Sequence, residues 1–200
     1  MLRGVYSVLL CLSVVVFHIL YIFQDTSFFH NQFEQLGSYD RQKSVMQEAN
    51  VLMQYRWNMD ILVASDAYTQ AEKEHLYDVK ELLHRLEYVF LISLFLLIVW
   101  VRYLLNLVFF RTFVLTILGL VTLFVVVLGV WWFAWDWLFV RFHELFFTGN
   151  WMFSADSFLI QSYPWEFFRN AMMVVVFRSI IGLVVVLWLL LLYKKKPFRA

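Results

Sequence analysis

Cysteine occurs once, at position 11, in a chain of 200 residues. That excludes an internal disulfide, so any segment outside a bilayer must be held by packing alone. Proline occurs twice and glycine six times. No Gly-rich phosphate loop, no G-x-S-x-G elbow and no low-complexity linker can be found. An enzyme built on this chain works without a Ser or Cys nucleophile. Charged residues make up only 16%. No basic stripe with interleaved aromatics marks a nucleic-acid partner. Metal signatures are missing as well: HELFF at 143–147 has the Glu after His143 but no second His four positions on. No metal and no cofactor is expected.

What the chain has is apolar surface, 62% of its residues against roughly half in a soluble domain. Four runs reach the roughly 20 residues that a helix needs to cross a bilayer. They lie at 5–23, 88–108, 113–133 and 171–193. The sequence therefore divides into a first span (1–23), an exterior segment (24–87), a second span (88–108), a short turn (109–112), a third span (113–133), an aromatic-rich loop (134–170), a fourth span (171–193) and a basic tail (194–200). The fold class expected is an all-α integral membrane protein, four transmembrane helices under a small, mainly helical extracellular cap.

Orientation follows from Lys and Arg. Arg3, Arg102, Arg111, Lys194, Lys195, Lys196 and Arg199 share one side, and all fifteen acidic residues fall in the two loops on the other. Both termini are placed in the cytoplasm. The first span reads as an anchor rather than a cleaved signal, being too long and lacking a small-residue cleavage site. Cys11 in LLCLS has a bulky Leu10 where a lipobox wants a small residue. It reads as a buried apolar side chain.

Within 24–87, residues 44–57 carry apolar positions at helical spacing. Thr69-Gln-Ala-Glu72 matches a capping box, which starts a second helix that runs without a breaker into the second span. His75, Asp78, Val79 and Leu82 share one face of it, whereas His84 falls about half a turn away. His75 stands about 16 Å of straight helix before the apolar run. A bend that lays the helix along the membrane would cover Leu76, Val79, Leu82 and Leu83.

His18, His30 and His84 have no partners in spacing. His18 admits a haem reading, against packing on an apolar helix. His75 and His143 differ: each lies close to a span and has a neighbouring carboxylate, Asp78 and Glu144. A carboxylate can fix a tautomer and support an imidazolium, the orienting half of acid–base catalysis. Two surface histidines beside two surface acids is the plainer alternative. WWFAWDWLFVRFHELFF at 131–147 reads as an aromatic interfacial belt, which accounts for the tryptophans but not for His143, Glu144 and Asn150. Arg178 lies inside the fourth span and must find a lipid oxygen or a polar group of the bundle.

HLYDVK at 75–80, FHELFFTGNW at 142–151 and DSFLIQSYPWEFF at 156–168, set among four spans, resemble the lipoprotein intramolecular transacylases of Gram-positive bacteria. The similarity covers the whole chain. It implies a bacterial cell-membrane enzyme whose catalytic histidines, His75 and His143, sit where an extracellular cap meets the membrane. It assigns substrate-binding or orienting roles to Tyr55, Asp78, Phe146, Asn150, Trp151, Tyr163 and Arg178. The implied partners are a diacylated lipoprotein and membrane lipid. The implied reaction moves the sn-2 acyl chain of the lipoprotein to the α-amino group of its own N-terminal cysteine, leaving a lyso-form product. A non-catalytic scaffold that binds lipid or a subunit is the competing class. An N-acyltransferase with a second lipid as donor is the nearest enzymatic rival.

Overall fold

The computed structural model describes residues 2–41, 68–99 and 107–195. Among these every regular element is an α-helix. In chain order they are α1 (Leu2–Ile22), α2 (Thr26–Gln35), α3 (Ser38–Arg41), α4 (Gln70–Val99), α5 (Leu107–Phe133), α6 (Trp135–Phe146), α7 (Phe158–Ser162) and α8 (Trp165–Lys195). Residues 109–112, read above as a turn, are helical and belong to the start of α5. The expected helix at 44–57 and Tyr55 lie outside the described residues.

Four helices are long and apolar enough to cross a membrane, within Gly4–Ile22, Gln70–Val99, Arg111–Phe133 and Trp165–Leu189. In α4 the charged stretch 70–87 precedes the apolar run, so only the part from Tyr88 onward suits hydrocarbon. These helices leave large apolar side chains uncovered, such as Ile92, Phe95, Leu115, Val125 and Ile181. In water such surface would drive association, whereas lipid tails cover it without cost. The chain is a multi-pass membrane protein.

The chain forms two compact units. The first comprises Met1–Ile19, Leu86–Val130 and Met173–Ala200. Inside it Cys11, Phe113 and Leu183 are fully buried. His18 gives Nδ1 to the Val14 carbonyl at 2.7 Å and meets Phe17 edge-on at 5.3 Å. Gly182 of α8 faces it: a Cβ there would stand 2.9 Å from both His18 Cε1 and Val14 Cγ1. His18 is thus a packing histidine at a close approach of α1 and α8, the arrangement small residues permit in membranes.

The second unit comprises Leu20–Arg85 and Trp131–Met172. Its core is aromatic: Phe29, Phe33, Tyr68, Leu76, Leu159, Tyr163 and Phe167 are all buried together. With no disulfide available, this cluster and a few buried polar links hold the unit. Gln32 accepts from the Asn170 amide at 2.6 Å, and the Trp131 indole donates to the Arg169 carbonyl at 3.2 Å.

The start of α4 follows from Thr69-Gln-Ala-Glu72. Glu72 Oε2 accepts from the Thr69 N–H and hydroxyl at 2.7 Å each. The capping box expected there is formed, and it reaches further: Glu72 Oε1 accepts the Leu159 N–H at 2.8 Å, at the start of α7. One fully buried carboxylate therefore satisfies orphan donors at the beginnings of two helices. Helix α4 then runs uninterrupted to Val99. Leu76 gains its cover from the aromatic cluster, so the need that suggested a bend is met by packing.

The stretch 134–170 is far more ordered than the loop expected. Trp135–Phe146 is helical, with Asp136 in its first turn, where a negative charge suits the helix dipole. Ser157 caps α7 through its hydroxyl, which accepts from the Ile160 N–H at 3.3 Å. Pro164 stops the chain as expected, and α8 begins at Trp165.

Candidate active site

Helix α4 presents His75 three residues after the Glu72 clamp, and α6 presents His143 in its last turn. The two imidazoles meet. Their ring centroids are 5.9 Å apart and their planes differ by 27°. Both side chains are 8% exposed. Buried polar groups are rare unless paired or functional, so two buried histidines in contact call for an explanation.

Aromatic rings enclose the pair. Phe147 stands edge-on to His75 at 5.0 Å and lies 5.4 Å from His143. Phe153 packs on His75 at 5.6 Å. Phe139 and Trp151 cover His143 at 4.1 and 4.9 Å. Phe139 sits one helical turn before His143, which the i, i+4 rule would have found. Phe147 and Phe153 lie between α6 and α7, where spacing carries no such signal.

Each histidine has its own electrostatic setting. His143 Nδ1 lies 2.8 Å from the Phe139 carbonyl oxygen. A carbonyl can only accept, so the proton is on Nδ1 and the neutral ring keeps a lone pair on Nε2. Burial lowers the His143 pKa, and this hydrogen bond opposes the shift. His75 occupies the polar part of α4, outside the apolar run. Burial pushes its pKa down to about 4, and the charge of protonated His143 adds to the effect. Its Nδ1 is buried and pairs with no described residue.

The neighbouring carboxylates do not act as expected. Glu144 faces outward and pairs with Arg141 at 2.6 Å, because consecutive helical positions point about 100° apart. The orienting acceptor of His143 is a backbone carbonyl instead. Asp78 makes no hydrogen bond to His75 among the described residues. It lines a cavity of about 370 Å³ beside that ring, together with Glu74, Thr148, Gly149 and Asn150.

The remaining residues singled out in the sequence are scattered. Trp151 and Asn150 are near the pair, the first against His143 and the second on the cavity wall. Phe146 is half-exposed and packs on Phe142 at 4.9 Å rather than on a histidine. Tyr163 is buried in the aromatic cluster, 5.2 Å from Phe33 and 5.4 Å from Phe167. Arg178 is half-buried within α8 in the first unit. No group of three or more possible metal ligands occurs among the described residues.

Solved structures and family comparisons bear on this site. A crystal structure of the membrane integral lipoprotein intramolecular transacylase from Bacillus cereus superimposes with a TM-score of 0.82 over 96% of this chain and 94% of that one, at 19% identity. Two variants of the same enzyme, each with one histidine replaced, by alanine and by arginine, align with TM-scores of 0.74 and 0.72 at 19% and 20% identity. Each covers 97% of this chain, and they are themselves covered over 94% and 91%. Among curated proteins none matches the sequence. The family model described as lipoprotein intramolecular transacylase matches residues 4–168, which include both histidines. With four membrane-crossing helices and a buried histidine pair already in place, that match shows that the chain belongs to the lipoprotein intramolecular transacylase family.

Proposed function

We propose that the protein transfers the sn-2 O-acyl chain of a diacylglyceryl lipoprotein to the α-amino group of that lipoprotein's N-terminal cysteine, with His143 as base and His75 as a neutral hydrogen-bond donor. The amine nitrogen forms a bond to the acyl carbon, and the bond from that carbon to the glyceryl oxygen breaks. The proton lost by nitrogen ends on the glyceryl oxygen. An ester becomes an amide, so no cofactor or energy source is called for. Both reacting groups belong to one molecule, and attack closes an eight-membered ring. Floppy groups seldom meet in such a ring, so confinement between rigid aromatic walls supplies the orientation.

The contact between His75 and His143 carries this reading. His143 Nε2 offers a lone pair while Nδ1 is tied to a carbonyl, the arrangement of an oriented base. It takes the proton from nitrogen after attack and returns it to the departing oxygen. His75 stays neutral, and a neutral imidazole can polarise a carbonyl by donating its N–H, as the lowered pKa of a neutral electrophilic histidine allows. Asn150 and Trp151 line the reacting space. In the membrane, the termini lie in the cytoplasm and the pair lies at the extracellular interface, the orientation the Lys and Arg distribution favours.

The test is mass spectrometry of a synthetic diacylglyceryl-cysteine lipopeptide incubated with the purified protein in detergent, with no other lipid. Wild type should give an isomer of unchanged mass whose fragments place an acyl group on the cysteine nitrogen. His75→Ala and His143→Ala should give none. A product that requires added phospholipid points to an N-acyltransferase with an external donor. An inert wild type leaves a non-catalytic scaffold.

A further inference from the structure

We infer that the cavity beside His75 is the seat of the substrate's free α-ammonium group, held by Asp78. This rests on the proposal above that the substrate is a diacylglyceryl lipopeptide. The cavity, about 370 Å³, lies between the first turns of α4 and residues 148–150. That is room for a peptide terminus but small for a pair of acyl chains. Among the described residues its wall carries two carboxylates, Asp78 and Glu74, and no Lys or Arg. Glu74 is exposed and accepts from the Gln70 amide at 3.0 Å. Asp78 is half-buried and forms no hydrogen bond or ion pair within the described residues.

A pair of acids alone would be a solvated surface. The second observation is His75, which lines the same cavity, is more than nine-tenths buried and has an Nδ1 with no partner among the described residues. A buried polar atom without a partner is costly and signals a group that binds there. The third is Gly149. A Cβ at this position would stand 3.4 Å from Asp78 Oδ2, in van der Waals contact, so a branched side chain would crowd the carboxylate. Glycine keeps it open.

The ligand chemistry follows. An α-amino group has an unperturbed pKa near 7.7–8.0, so at neutral pH it arrives mostly as a cation. Two carboxylates with no competing cation among the described lining residues attract it. The ester end of the same molecule then falls toward the rings of Phe147 and Phe153 that flank His75. Asp78 favours the charged amine, so it serves capture and orientation; before attack the ammonium gives one proton to solvent and leaves that contact as the neutral amine. Asp78 is therefore a binding group whose loss raises KM more than it changes kcat.

The test uses the full-length protein in detergent and two non-transferable diether lipopeptides. One keeps the free α-amine, and the other carries an α-hydroxyl in its place, equal in size but uncharged. Inhibition constants are measured on wild type, Asp78→Asn and Gly149→Val, with turnover of the ester substrate measured alongside. Wild type should prefer the amine about tenfold, the range of one charged hydrogen bond. Both variants should lose the preference, and Asp78→Asn should raise KM about tenfold with kcat within about threefold. Equal binding of the two diethers by wild type overturns the inference, whatever the variants do, and so does an amine preference that survives in folded Asp78→Asn. Wild-type turnover reports separately on the acyl-transfer reading.

Discussion

The ring of His143 lies nearly parallel to that of His75, with centroids 5.9 Å apart, although the two come from different helices. Its Nδ1 is committed to the Phe139 carbonyl at 2.8 Å. That commitment assigns a tautomer and, with it, a role.

The tautomer can be checked directly. We expect nitrogen NMR of histidine-labelled protein at pH 7.5 to show at least two rings protonated on Nδ1, those of His18 and His143, the second of which is lost in His143→Ala. An Nδ1-protonated population unchanged in His143→Ala contradicts the assignment of Nε2 as the base.

The pH dependence of stability has a definite sign. The His75 pKa is lowered by burial, and by the charge of His143, from 6.5 to about 4 in the folded state. As pH falls below 6.5 the unfolded chain takes up the proton first, so stability is full above pH 6.5 and is lost progressively toward pH 4. At pH 5 the loss from this group is about 2 kcal/mol. Melting of wild type in detergent should drop between pH 7.5 and pH 5. His75→Gln should show a smaller drop, and an equal drop in both proteins would remove His75 as the cause.

Glu72 should matter more for folding than its sequence neighbourhood suggests. Replacing it with Ala strands the Leu159 N–H and both Thr69 donors. A loss of about 2–4 kcal/mol is expected, since buried donors left unpaired each cost 1–3 kcal/mol. Protease sensitivity mapped to 148–163 would report it. Wild-type melting in Glu72→Ala would mean that the bridge between α4 and α7 is dispensable.

Two aromatics carried over together from the family motif should separate. Trp151 packs on His143 at 4.9 Å, whereas Phe146 is half-exposed and packs on Phe142. Trp151→Ala should lower kcat/KM at least about tenfold by loosening the base. Phe146→Ala should stay within about threefold of wild type. The reverse order would place the reacting groups elsewhere.

Gly182 tests the packing of the first unit. An added methyl meets His18 Cε1 and Val14 Cγ1 at 2.9 Å. Gly182→Ala should destabilise by about 1–3 kcal/mol, the usual cost of overpacking. Pairing it with Val14→Ala should recover part of the loss. A neutral single variant would show that α1 and α8 can separate freely here.

Local pattern determined much of this protein. Four apolar runs give four helices, because a run of that length can satisfy its backbone in lipid only as a helix. Thr69 and Glu72 begin α4 because the cap is built from neighbours three residues apart. The capacity of His75 and His143 for acid–base chemistry is intrinsic to imidazole. The tertiary structure decided the rest. It turned the aromatic stretch 135–146 into a helix whose inner side holds His143, and it sent Glu144 outward to Arg141. It set Tyr163 in the core and Asp78 on a cavity wall. It put the two imidazoles in contact and buried both, and burial is the main reason their pKa values are lowered. Spacing along a chain fixes only which residues share a helix face. The meeting of two helices far apart in sequence, and the dielectric around the side chains they enclose, depend on how the whole aromatic cluster packs.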